Sequence, residues 1–140
     1  MARDRSSQIE FPAMIIGSHV LLYSRHPEAD RAFFRDILNF PNVDLGHGWL
    51  IFRLPPAEAG IHPAEPSASD GPHQAGRQLL GSVLYLLCDD LRATIESFEA
   101  KNVRCSEVEE ESWGLRTSIV LPSGSQIGLY QPKHALAITA

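Results

Sequence analysis

The chain has 140 residues, 44% of them hydrophobic and 21% charged, with ten Gly, ten Pro and two Cys. That length suits one domain able to bury about 68–70% of its unfolded surface, which excludes disulfide-stapled miniproteins and multidomain machines. Twelve Lys and Arg against 17 Asp and Glu leave a net charge of −5 and no basic stripe, so neither nucleic acid nor an anionic membrane is an expected partner.

Residues 1–12 read as a polar tail, since Met1 to Glu10 lacks the continuous apolar stretch of a secretion signal. The longest apolar runs, Ile15–Tyr23 and Leu79–Cys88, fall short of the ~20 residues that cross a bilayer, and the expected location is cytoplasmic. Cys88 and Cys105 form no CxxC pair and read as reduced thiols, Cys88 as part of the core.

Ile15 to Ser24 is apolar and β-rich and reads as a first strand. His26-Pro27-Glu28 then opens a helix, with proline in the first turn and an acid near the positive end of the helix dipole. The helix is expected from Pro27 to Leu38, because Ala29, Phe33 and Ile37, flanked by Phe34 and Leu38, form one apolar stripe. After a turn-rich stretch, Trp49 to Leu54 reads as a strand stopped by Pro55-Pro56, and Ala59 to His62 as another short one.

The same order returns in the second half. Val83 to Cys88 is a strand, Asp89-Asp90 supplies a helix N-cap, and Leu91, Ile95 and Phe98 form the stripe of a helix ending near Lys101-Asn102. Val103–Glu111, Leu115–Leu121 and Gln126–Tyr130 follow as three strands, the last two joined at Pro122-Ser123-Gly124. His19–Tyr23 aligns with Val83–Leu87, Ala29 with Ala93, and Phe34 with Phe98, which points to an internal duplication. The expected organisation is one domain, 13–132, made of two modules, 13–62 and 82–132. A Pro-rich linker, 63–81, joins them as either a functional lid or a disordered connection, and 133–140 forms a C-terminal tail.

This doubled strand, helix and three-strand unit resembles the vicinal oxygen chelate superfamily, the glyoxalase, bleomycin-resistance and extradiol dioxygenase proteins. The resemblance rests on Gly17-Ser-His-Val-Leu-Leu-Tyr23 with Ala32-Phe-Phe-Arg-Asp-Ile-Leu38 at one end, and on Leu121-Pro-Ser-Gly-Ser-Gln-Ile-Gly-Leu-Tyr130 at the other. It covers Ala13 to Pro132 and implies an α+β fold of two βαβββ modules whose curled mixed sheets form a cup. A ferredoxin-like α+β sandwich is the alternative. The resemblance also implies a homodimer.

In members with metal chemistry, the resemblance implies four ligand positions, on the first and last strand of each half. Here they fall on His19, near Gly60, on Val83 and on Gly128, so His19 is a lone match. One donor in four does not hold a catalytic metal, and no cofactor is expected. A two-residue slip keeps the face of a strand and leaves a non-standard divalent metal site around His19 and His62 as the alternative.

Strand alternation lines the cup with His19, Tyr23, Tyr85, Trp49, Arg116, Ser118, His62 and Tyr130, with Trp113 at a strand end, and turns Leu50, Phe52, Leu115 and Ile119 towards the helices. Each has a bland alternative. His19 is either a hydrogen-bonded structural histidine or a proton-handling group, Trp49 and Trp113 are either packing plugs or stacking surfaces, and Arg116 either pairs with Glu109 or Glu111 or meets an anionic ligand. The leading expectation is a metal-free, resistance-like protein holding a flat aromatic ligand among His19, Tyr23, Trp49, His62, Tyr85, Trp113, Arg116 and Tyr130. The competing ones are a metal-dependent lyase or dioxygenase, a metal-free isomerase with His19 as its base, and an assembly module with a collapsed cup.

Overall fold

Leu91, Ile119 and Leu129 are the most completely buried large side chains. In the computed structural model, which describes residues 15–63 and 72–139, a single apolar cluster gathers around them from both halves of the chain. The elements in chain order are α1 (Pro27–Asp36), β1 (Asn42–Asp44), β2 (Leu50–Phe52), β3 (His73–Gln74), β4 (Arg77–Gln78), β5 (Tyr85–Leu87), α2 (Leu91–Ala100), β6 (Glu109–Glu111), β7 (Gly114–Val120) and β8 (Gln126–Pro132), followed by a 3-10 turn at Ala137–Thr139.

The second half forms one sheet in the order β5-β8-β7-β6, with β5 parallel to β8 and the other pairs antiparallel. Helix α2 makes the crossover. Asp90 caps it by accepting from the Ala93 amide at 3.1 Å, while Gln131 Oε1 on β8 accepts from the Leu91 amide at 2.8 Å, so two of the orphan N–H groups at the helix start are satisfied. Three strands after the second helix match the expected βαβββ order and do not fit a ferredoxin-like βαββαβ unit.

The first half keeps its helix. Phe33 and Phe34 of α1 are buried in the core, and the Phe34 ring lies 5.5 Å from Phe52 of β2 and 5.9 Å from Phe40. Regular winding stops at Asp36, short of the expected Leu38, because the Ile37 and Leu38 amides both bond to the Phe33 carbonyl and Asn39 takes a positive φ of 57°. Asp30, also buried, ties this helix to the other half. Its Oδ1 accepts from the Ser123 amide in the β7–β8 turn at 3.0 Å, and its Oδ2 accepts from the Ser24 hydroxyl at 2.6 Å.

Two expected strands are not formed. Among the described residues, 15–24 forms no strand and is mostly exposed, and Ala59–His62 forms none either. A strand needs a neighbour for its N–H and C=O groups, and Pro55, Pro56 and Pro63 remove donors on both sides of Ala59–His62. Among its described residues the first half therefore retains the β1–β2 ribbon alone. The strand expected over Val103–Glu111 pairs regularly only at Glu109–Glu111. Upstream, the Ser106 hydroxyl takes the Ser118 amide at 2.9 Å, a side chain standing in for a backbone acceptor.

Of the linker, 72–81 contains the small β3–β4 hairpin, closed by Ala75 and Gly76 with φ of 52° and 75°, the two positive values of a tight hairpin turn. The expected tail at 1–12 and the remainder of the linker at 64–71 lie outside the described residues. Among the described residues, no helix is long and apolar enough to cross a membrane.

Candidate functional site

The pleat of β7 and β8 separates two surfaces. Thr117, Ile119, Ile127 and Leu129 point to the helix side and are buried, whereas Arg116, Ser118 and Tyr130 point the other way, onto an open face. Register places Glu109, Arg116, Tyr130 and Leu87 abreast across β6, β7, β8 and β5, with Ser118, Gly128 and Tyr85 as the next row.

Aromatic rings fill this face. Tyr130 meets Trp113 edge to face at 5.0 Å, Tyr85 edge to face at 6.0 Å and the His134 ring at 5.6 Å. Two glycines seat the rings. A Cβ at Gly128 would fall inside the Tyr85 ring, and one at Gly114 would collide with the Tyr130 ring and the Gln131 carbonyl. The Tyr130 hydroxyl donates to the Trp113 carbonyl at 3.2 Å, which fixes the ring, and burial followed by the nearby Glu58 carboxylate pushes its pKa up. Tyr85 and Trp113 nonetheless remain 39% and 41% exposed, so ring surface is available to a ligand.

Arg116 lies in the same row, and of its two sequence readings the paired one is observed. Its Nη2 contacts Glu109 and reaches Glu111 Oε1 at 3.3 Å, while its Nε is buried without a hydrogen bond. Burial pulls the guanidinium pKa down, but the Glu109 charge and the Glu111 hydrogen bond more than offset this and raise it, so the group stays a cation. Lys133 pairs separately with Glu110 at 2.9 Å. Solvent screens such exposed and part-exposed pairs, so they add little to stability.

A family model described as the glyoxalase/bleomycin resistance protein/dioxygenase superfamily matches residues 17–129, most of the chain. The chain belongs to this superfamily. Solved structures agree on the fold: the structure of SMU.1112c, 17% identical, superposes with a TM-score of 0.55 over 84% of this chain and 99% of that one. A lactoylglutathione lyase from Agrobacterium tumefaciens, 20% identical, superposes with a TM-score of 0.53 over 87% and 96%. TnmS3, an antibiotic-binding protein from Streptomyces sp. CB03234, is 21% identical with a TM-score of 0.48 over 86% and 100%. No curated protein matches the chain.

The metal positions of the superfamily can be tested against this geometry, and they do not fit. His19 sits on the exposed 15–24 segment, Gly60 offers no side chain, Val83 has no donor atom, and the space above Gly128 is taken by the Tyr85 ring. Among the described residues no group of three or more His, Cys, Asp or Glu could hold a metal ion.

The structure brings together four of the eight expected ligand-binding residues: Tyr85, Trp113, Arg116 and Tyr130. Elsewhere, Tyr23 is exposed on the same segment as His19, and Trp49 lies beneath the Arg31 guanidinium of α1 at 4.3 Å. His62 is exposed, with Nδ1 2.8 Å from the Pro63 carbonyl. Two contributors escape sequence reading: His134, which lies in the expected tail, and Gly114, which resembles any turn glycine. The thiols of Cys88 and Cys105 are both pushed up by burial, away from the thiolate form that a nucleophile needs. An open groove of about 350 Å³ between α1 and α2 carries Asp89 and Asp90, but Asp90 is committed to capping the helix.

Proposed function

We propose that this superfamily member is a metal-free, resistance-like binding protein whose ligand is a planar or aromatic small molecule held on the open face by Tyr85, Trp113 and Tyr130. The Tyr85 ring over Gly128 carries the reading, because it puts an aromatic surface at the position where the superfamily resemblance implies a metal ligand. Edge-to-face packing and the Tyr130 hydroxyl bond hold the rings in position, which lowers the entropic cost of stacking a ligand against them. The same face is one wall of a cup. We further infer that a second copy of the chain supplies the opposite wall, since the apolar segments 15–23 and 79–85 are exposed and β5 is an open sheet edge.

Fluorescence titration of a Trp49→Phe protein with a panel of flat aromatic compounds isolates the signal of Trp113. Saturable quenching or enhancement that Tyr130→Ala weakens at least about tenfold supports the reading, by the scale of aromatic contacts at interfaces. No response across the panel, or saturation unaffected by Tyr130→Ala, contradicts it.

A further inference from the structure

The charges around the aromatic face set which ligands it can take. Arg116 is a cation on that face, and its Nη2 is already held by Glu109 and Glu111. Its Nε is closed off by burial. An anionic ligand would compete with these two carboxylates for the guanidinium, and it would approach a surface on which acids outnumber bases. Glu109 and Glu111 share Arg116, and Glu58, which accepts from the Ala137 amide, lies near enough to Tyr130 to act on it; the bases beside them are Lys133, which binds Glu110 and the Glu111 carbonyl, and the His134 ring against Tyr130. The faces of Trp113, Tyr85 and Tyr130 add to the bias, because the π-cloud of an aromatic ring attracts cations and repels anions.

We propose that the open face selects planar ligands bearing a positive charge, such as an aromatic amine or amidine, and disfavours flat carboxylates of the same size. This rests on the reading of the face as a small-molecule site. The cation of the ligand would sit towards Glu109 and Glu111, where two carboxylates share one guanidinium, while its ring system lies against Trp113 and Tyr130. Arg116 then acts as a positioning residue that holds the two glutamates in place and leaves them with net negative charge.

Equilibrium dialysis of the full chain against three probes of similar size tests this: proflavine as the cation, anthracene carboxylate as the anion and hydroxymethylanthracene as the neutral control. The expected order is cation, neutral, anion, with the cation bound at least about tenfold more tightly than the anion at low salt and the gap narrowing at high salt. The Glu109→Gln, Glu111→Gln double variant should bring cation and anion to parity or reverse their order, because it both removes the negative charge and frees Arg116. Glu96→Gln, on the exposed side of α2, should leave the order unchanged.

Anthracene carboxylate binding as tightly as proflavine, or a Glu96→Gln effect as large as that of the double variant, overturns the charge selection while leaving the site in place. Failure of all three probes to bind overturns the site itself.

Discussion

Gly128 shows how one residue type decides what a position can do. Its backbone does not require glycine, since its φ is not among the positive values, but the space above it is filled by the Tyr85 ring. Gly128→Ala should therefore expel or tilt that ring at a cost of about 1–3 kcal/mol, the range for overpacking, and weaken aromatic ligand binding in step. Gly60→Ala, where nothing lies within 4 Å of the added atom, should stay within about 0.5 kcal/mol of the parent by urea denaturation. Equal stability of the two variants would show that the ring does not need the glycine. The sequence revealed that Gly128 cannot ligate a metal, because that depends only on residue type. The Tyr85 ring above it was not legible, because ring placement depends on rotamers and neighbouring strands. Arg116 was legible as a choice between pairing and ligand contact, and proximity to Glu109 and Glu111 in the β6–β7 register decided for pairing.

At the level of elements, α1 is joined to the second half through core packing and through Asp30. The Ser123 amide and the Ser24 hydroxyl both donate to this carboxylate, so Asp30→Ala removes two hydrogen bonds and strands a part-buried N–H. The expected loss is about 1–3 kcal/mol, read as a lower urea midpoint, and Asp30→Asn, which keeps one acceptor oxygen, should lose less. An unchanged midpoint in Asp30→Ala would mean that the contact contributes nothing to docking. Both helices could be read from the sequence because a 3.6-residue stripe and its capping residues are local signals, and Asp90 caps α2 as its position suggested. The strands at 15–24 and Ala59–His62 could not be settled that way. Apolar, β-branched composition states a propensity, whereas pairing depends on a partner edge elsewhere, and among the described residues neither segment forms a strand.

For the whole molecule, the exposed apolar segments 15–23 and 79–85 are the part of the structure that a single chain leaves unresolved in energetic terms. Ile16, Leu80 and Val83 are 100%, 89% and 74% exposed, the last two on the stretch that leads into the open edge strand β5. Light scattering should give twice the 15.5 kDa chain mass, and Leu21→Asp with Val83→Asp should shift the species towards one chain. A single-chain mass for the unmodified protein would contradict the second wall of the cup. The central proposal is that aromatic rings take the place of a metal at that face, so that binding is independent of one. Calorimetric titration of the best aromatic ligand, on protein stripped with chelator and again after adding Zn²⁺, Ni²⁺ or Mn²⁺, tests it most directly. The account predicts the same affinity and stoichiometry in every case, and binding that appears only in the presence of one of these metals would contradict it.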